Sequence, residues 1–211
     1  MNGVRARVLS AVAGQLGNPH GPLGRGFAVL LNRANKRAIA AAVAAAAVRP
    51  GQCAADLGFG GGAGLSLLLA RIGNSGTVHG VEISPDMLAR ARSAFAREIT
   101  SGRLCLAEGS LTALPLADHS LDSAITVNTI YFVADLAAAC AELVRVVRPG
   151  GRIVVDIGDP DAMAKLPFTP YGFRLRPVAE VIAALEQAGC TVDHQRSTTP
   201  PLPRHLLIAT P

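Results

Sequence analysis

The run Ala54-Ala55-Asp56-Leu57-Gly58-Phe59-Gly60-Gly61-Gly62-Ala63-Gly64 sets one acid among five glycines. Each glycine in an ordered element costs roughly 0.5–1 kcal/mol relative to alanine, so a cluster of them marks backbone that must lie close to something. A glycine-rich turn between a strand and a helix is a nucleotide-binding device, because it brings the backbone and the helix N-terminus to the ligand. Gly58-x-Gly60-x-x-Ala63 also satisfies a relaxed dinucleotide fingerprint. Asp56 argues against that ligand, since a carboxylate two residues before Gly58 would repel a pyrophosphate. It suits a ligand that is cationic beside the glycines, such as one with an α-ammonium group. Glu82, 24 residues past Gly58, stands where an acid can accept from both hydroxyls of a ribose.

These residues need a scaffold, and the chain supplies one by alternation. Asn32 to Val48 reads as an alanine-rich helix stopped by Arg49-Pro50-Gly51. Gln52 to Leu57 is a short buried strand, and Ala63 to Arg71 is helical. Thr77 to Ile83 is β-branched and strand-like. Ser84-Pro85-Asp86 opens a helix with a capping serine, a proline in the first turn and an acid behind it, and that helix runs to about Ile99. Strands follow at Arg103 to Ala107 and Leu121 to Val127, a helix at Asp135 to Val147, and a fifth strand at Arg152 to Ile157. A helix over Val178 to Ala188 precedes strands at Thr191 to Gln195 and His205 to Ala209. The link between these last two is too short for a helical crossover, so they pair antiparallel. The expected fold is α/β: a Rossmann-like, doubly wound seven-stranded sheet, mainly parallel, with an antiparallel C-terminal edge pair.

Ribose plus an amino-acid ammonium, without phosphate, describes S-adenosyl-L-methionine. The order Asp56-Leu57-Gly58-Phe59-Gly60-Gly61-Gly62, then Gly80-Val81-Glu82-Ile83-Ser84-Pro85-Asp86-Met87-Leu88, resembles class I S-adenosylmethionine-dependent methyltransferases. So do Glu108 to Asp122 and Glu142-Leu143-Val144-Arg145-Val146-Val147-Arg148-Pro149-Gly150-Gly151. The resemblance spans about residues 32–211 and is nearest in character to the small-molecule branch with the ubiquinone and menaquinone C-methyltransferases. It implies that Asp56 and the loop Gly58, Phe59 and Gly60 hold the methionine end, and that Glu82 binds the ribose. Ile83 and Met87 would pack on the adenine, and Ser110 and Leu111 would read its edge. The family usually places an acid at the position of Ser110. Asn128 would line the sulfonium end. Residues 1–31 form a helical lid segment by the same resemblance, and residues 32–211 the catalytic domain.

Methyl transfer from a sulfonium is an in-line displacement in which the protein mainly aligns the reacting atoms. A base is required only if the acceptor must lose a proton, and no motif here fixes one. Tyr131, after the fourth strand, faces the acceptor in this scheme. His20, in Asn18-Pro19-His20-Gly21-Pro22, would reach the acceptor if the N-terminal segment folds over the site. Tyr171 and Phe173 fall where the family inserts substrate-binding structure. A compact apolar acceptor, aromatic or quinone-like, fits the short insertion.

Composition bounds the rest. The chain has 211 residues, half of them apolar, and a mean hydropathy of +0.35, which together suit one cored domain. No apolar run reaches the roughly 18 residues of a membrane span. The stretch Val8 to Ala13 is shorter than a signal-peptide core of about 7–15 residues, so a short amphipathic helix is expected there. Cys53, Cys105, Cys140 and Cys190 are scattered and read as buried free thiols of a cytoplasmic protein; no metal-ligand spacing appears among the cysteines or histidines. The net charge of +5 comes mainly from arginines, densest at Arg25, Arg33, Lys36 and Arg37, and could attract an anionic or phenolate ligand. A nicotinamide-dependent reductase conflicts with Asp56. A nucleic-acid methyltransferase lacks a basic stripe interleaved with aromatics, and Asn128-Thr129-Ile130-Tyr131 lacks the prolines of adenine-amino enzymes. A catalytically silent cofactor-binding regulator is the third alternative. The expected partner is therefore a small-molecule acceptor rather than a nucleic acid. The sequence leaves the oligomeric state open, a homodimer among the options.

Overall fold

The computed structural model describes residues 2–17, 35–200 and 202–211. After α1 (Asn2–Gly17) and α2 (35–45), strands and helices alternate: β1 (Cys53–Leu57), α3 (Ala63–Ile72), β2 (Thr77–Glu82), α4 (Pro85–Ala94), α5 (Ala96–Thr100), β3 (Leu104–Glu108) and β4 (Leu121–Val127). The C-terminal half holds α6 (Leu136–Val146), β5 (Val147–Gly158), α7 (Pro160–Ala164), α8 (Val178–Gln187), β6 (Thr191–Ser197) and β7 (Arg204–Thr210).

The seven strands form one sheet in the order β3-β2-β1-β4-β5-β7-β6. All pairs from β3 to β5 are parallel, while β7 pairs antiparallel with both β5 and β6. Only β7 is therefore reversed. It slots between β5 and β6, as the short link between the last two strands requires. The central strands are buried on both faces, as a parallel sheet demands. Side-chain alternation in β5 shows this directly: Ile153, Val155 and Ile157 join the cluster beneath α6 and α8, and Val154 joins the one beneath α2, α3 and α4.

Local signals set the helix starts. Ser84 Oγ accepts from Met87 N at 3.3 Å with Pro85 behind it, and Asp135 caps α6 by accepting from Ala138 N at 3.0 Å. The helix expected to run to Ile99 breaks at Phe95, whose ring packs against Gly62 under the glycine loop. β5 begins earlier than expected and takes in Arg148-Pro149-Gly150-Gly151, which it accommodates through a register shift against β4. The expectation of buried thiols holds for Cys140 and Cys190. Cys53 is half-buried and Cys105 is exposed, because β3 is an edge strand with one open side. Among the described residues no helix is long and apolar enough to cross a membrane, and no cluster of His, Cys, Asp and Glu could hold a metal ion.

Asp122 ties the lower ends of three strands. Its carboxylate accepts from Cys53 N at 2.6 Å and pairs with Arg148 Nη2 at 2.5 Å. Asp122→Ala leaves the Cys53 amide without its partner and should cost about 1–3 kcal/mol. Urea unfolding should show a lower midpoint with an unchanged slope; an unchanged midpoint would deny Asp122 this role.

Candidate active site

The strand order reverses between β1 and β4, and open α/β sheets bind ligands outside the strand ends at such a point. The loops after both strands meet there. After Leu57 the chain turns through Gly58 at φ 78, a left-handed conformation. A Cβ at Gly58 would also lie 2.6 Å from Thr129 Oγ1, in the loop after β4. Glycine at this position thus lets the two loops close on each other.

Asp56 is 5 % exposed and reaches under the start of α3, where Leu65 N–H donates to its carboxylate. Gly62, at the head of that helix, offers no side-chain cap, so the strand provides the acceptor instead. A Cβ at Gly64 would overlap Asp56 Oδ2, which makes this glycine a requirement of the carboxylate rather than of the turn. Burial, and then the neighbouring Glu82, push the Asp56 carboxyl up to about 7.

Glu82 ends β2 and is also 5 % exposed. Its Oε2 accepts from Gly60 N at 2.8 Å, and its Oε1 from Ile83 N at 2.8 Å and Ser84 N at 3.0 Å. A carboxylate has about four lone-pair sites, so roughly one remains, on Oε2. One ribose hydroxyl can be accepted directly; a second would have to displace a backbone amide.

A cavity of about 730 Å³ opens over these groups. Asp56, Gly58, Phe59 and Gly60 line its floor, Glu82 and Ile83 one side, and Ser110 and Leu111 the next. Ile83 is 51 % exposed, an apolar side chain free to cover a flat ligand. Ser110 Oγ lies 3.0 Å from Thr112 Oγ1. The loop carrying Ser110, Leu111 and Leu114 is clamped to α6: Glu142 Oε2 accepts from Leu114 N at 2.7 Å, and Arg145 donates to Leu114 O and Leu116 O at 3.0 and 2.8 Å. Met87 does not reach the cavity. It is 1 % exposed within the cluster under α4, since its place in the first turn of that helix faces the sheet.

From the loop after β4, Asn128 and Tyr131 also line the cavity. Asn128 takes a left-handed φ of 60, which asparagine tolerates better than most residues, and its N–H donates to Asp156 O at 3.0 Å. Tyr131 is 3 % exposed, and its hydroxyl accepts from Gly158 N–H. Burial pushes its phenol up to about 12. His20 lies outside the described residues.

Several lining residues carried no weight in the sequence reading. Phe173, which did, packs on Phe132 and Phe168 at centroid separations of 4.7 and 5.7 Å, and together they make an aromatic wall. Tyr171, its companion there, is not on the lining. Asp156, at the end of β5, is 2 % exposed, and its Oδ1 receives Arg204 Nε at 2.7 Å and Arg204 Nη2. Arg204 Nη2 also donates to Asn128 Oδ1 at 2.7 Å. An acid within an apolar strand was the available signal, the same one that marked Asp56.

Gly64→Ala tests the packing of the floor. Overfilling a tight site costs about 1–3 kcal/mol, and the thermal midpoint should fall accordingly. A variant as stable as the parent would show that Asp56 has room to move.

Against known proteins, residues 55–155 match the family described as the methyltransferase domain. An uncharacterized 37.1 kDa transposon protein of Streptomyces fradiae is 42 % identical over 113 residues, 54 % of this chain and 31 % of that protein. The ubiquinone/menaquinone biosynthesis C-methyltransferase UbiE of a Marinomonas species is 30 % identical over 133 residues, 62 % of this chain and 53 % of its own length. The chain thus matches between about a third and a half of these curated relatives. Among solved structures, a geranyl diphosphate methyltransferase in complex with SAM superposes with a TM-score of 0.72 at 15 % identity, covering 93 % of this chain and 94 % of that one. The ordered motifs, the sheet and the domain match over residues 55–155 together support a class I S-adenosylmethionine-dependent methyltransferase.

Proposed function

We propose that the protein moves the methyl group of S-adenosylmethionine to a small aromatic or quinone-like acceptor. One observation carries this: a single cavity joins a glycine floor with two buried acids to an aromatic wall. The first half fits the cofactor. Asp56 offers a carboxylate to an ammonium, Glu82 an open lone pair to a hydroxyl, and Ile83 an uncovered apolar face to a purine. The second half offers Phe132, Phe168 and Phe173 to a flat apolar body. Likeness to the ubiquinone/menaquinone enzyme supports the quinone-like class.

The bound cofactor supplies a methyl group that is already activated. The chain's own residues bind, orient and exclude water, and alignment of this kind contributes several kcal/mol. Residues 1–31 serve as the lid; their attachment just before α2 supports this, since Arg37, Ala38 and Ile39 of that helix line the cavity. The four free cysteines support a cytoplasmic setting.

Calorimetric titration with S-adenosylhomocysteine, with NADH and NADPH alongside, tests the cofactor assignment. Micromolar binding of the first alone is the expected result; binding of a nicotinamide dinucleotide instead would overturn the reading. In the same assay Glu82→Ala should weaken binding about tenfold or more, ~1.4 kcal/mol, through loss of the hydroxyl acceptor and of the Gly60 anchor. An unchanged dissociation constant in a folded variant would remove Glu82 from the site.

The pH dependence has a definite sign. With its carboxyl pushed up to about 7, Asp56 is mostly protonated at lower pH and pairs poorly with an ammonium. Affinity for S-adenosylhomocysteine should therefore rise about tenfold between roughly pH 6 and roughly pH 8. A flat profile would mean that Asp56 does not meet the ammonium.

A further inference from the structure

Asp156 is a buried acid with half of its carboxylate unused. Arg204 holds Oδ1, while Oδ2 has no partner among the described residues, and the residue lines the cavity. Its placement is fixed from three sides. Asp156 is paired with Val127 of β4 and Leu206 of β7 in the sheet, its backbone O accepts from Asn128 N at 3.0 Å, and Arg204 bridges its side chain to that of Asn128. An acceptor oxygen with no protein partner, open to the cavity, is available to a ligand that brings a donor. The surfaces beside it, Tyr131, Phe132 and Phe173, are aromatic.

We propose that Asp156 Oδ2 receives the hydroxyl proton of a phenolic acceptor, so that the methyl group goes to oxygen. This rests on the methyltransferase reading above. As the acceptor oxygen forms its bond to the methyl carbon, the carbon–sulfur bond breaks and its electron pair stays on sulfur. The O–H proton passes to Asp156 Oδ2 and later to water. The products are the aryl methyl ether and S-adenosylhomocysteine, and charge and atoms balance without another reactant. Asp156 is the catalytic residue of this step; Arg204 and Asn128 position it. The charged and titratable groups near the carboxylate are Arg204 and His205 from β7 and Tyr131 from the turn after β4. Burial raises the Asp156 carboxyl above its usual range and Arg204 opposes that rise, which strengthens it as a proton acceptor.

The test uses para-nitrophenol, whose colour reports its ionisation, bound to the full chain with and without saturating S-adenosylhomocysteine. A carboxylate that accepts from the phenol holds it neutral, so the bound probe's pKa should rise by about one unit or more. Asp156→Asn should abolish that rise and leave S-adenosylhomocysteine binding within about twofold of the parent, the latter also reporting a folded variant. Binding of the yellow phenolate would overturn the proposal, because Arg204 would then be capturing an anion. Absence of saturable binding, or an undiminished rise in the Asn variant, would overturn it as well. Should the variant fail to fold, the spectrum of the wild-type complex still decides between phenol and phenolate. A parent that binds the probe but not S-adenosylhomocysteine would overturn the methyltransferase reading, and this step with it. Intact cofactor binding beside a bound phenolate would overturn this step alone.

Discussion

The Glu82 carboxylate gathers three backbone amides from two separate loops: Gly60 from the turn after β1, and Ile83 and Ser84 from the turn after β2. Charge-assisted bonds of this kind are stronger than neutral ones, and here they are shielded from water. Much else depends on them. The Gly60 amide fixes the glycine turn above Asp56, and the Ser84 amide is set at the point where the serine caps α4. The carbonyl of Glu82 in turn accepts from Gly109 N at 3.2 Å, which leads the third loop toward Ser110. One residue, through its side chain and its carbonyl, thereby brings the ends of β1, β2 and β3 to a common rim.

Two of the buried acids at the cavity, Asp56 and Asp156, show how partners divide labour between like groups. Both lie near the C-terminal end of a strand, on either side of β4. Asp56 is buried beside another carboxylate, and both hold back its charge against the pull of the Leu65 amide at the helix N-terminus. Asp156 faces an arginine, which compensates its charge at one oxygen and leaves the other open. Sequence type alone makes them equivalent; the strand that packs beside each makes them different.

What was legible in the sequence was local. Gly58 and Gly60 with Asp56, the Ser84-Pro85 start of α4 and the terminal position of Glu82 each declare themselves within a few residues, and the alternation of periods gave the sheet. What could not be read was set by distance. Arg204 meets Asp156 across 48 positions of chain, and Gly64 is required by a side chain on the preceding strand. Met87 has the character of a purine-packing residue, yet the helix phase turns it into the core. α7 was missed although Asp159-Pro160 repeats the cap-and-proline pattern of Ser84-Pro85; its Asp159 accepts from Ala162 N at 3.0 Å. The break at Phe95 follows from tertiary packing and has no local marker.

The reversal of β7 has an architectural consequence. In a wholly parallel sheet only the ends of strands would reach the cavity, each tied to its own crossover helix. Because β7 runs the other way, its beginning arrives at the same rim, and the tight turn between Ser197 and Arg204 hangs over the cavity with Thr199, Pro200 and Leu202. That turn meets two helices through its carbonyls: Pro200 O accepts from Arg37 of α2 and Pro203 O from the N–H of Asp159, the cap of α7. The loops that hold the cofactor side thus come from the first half of the chain, while a separate hairpin tip from the last covers the other side of the same cavity.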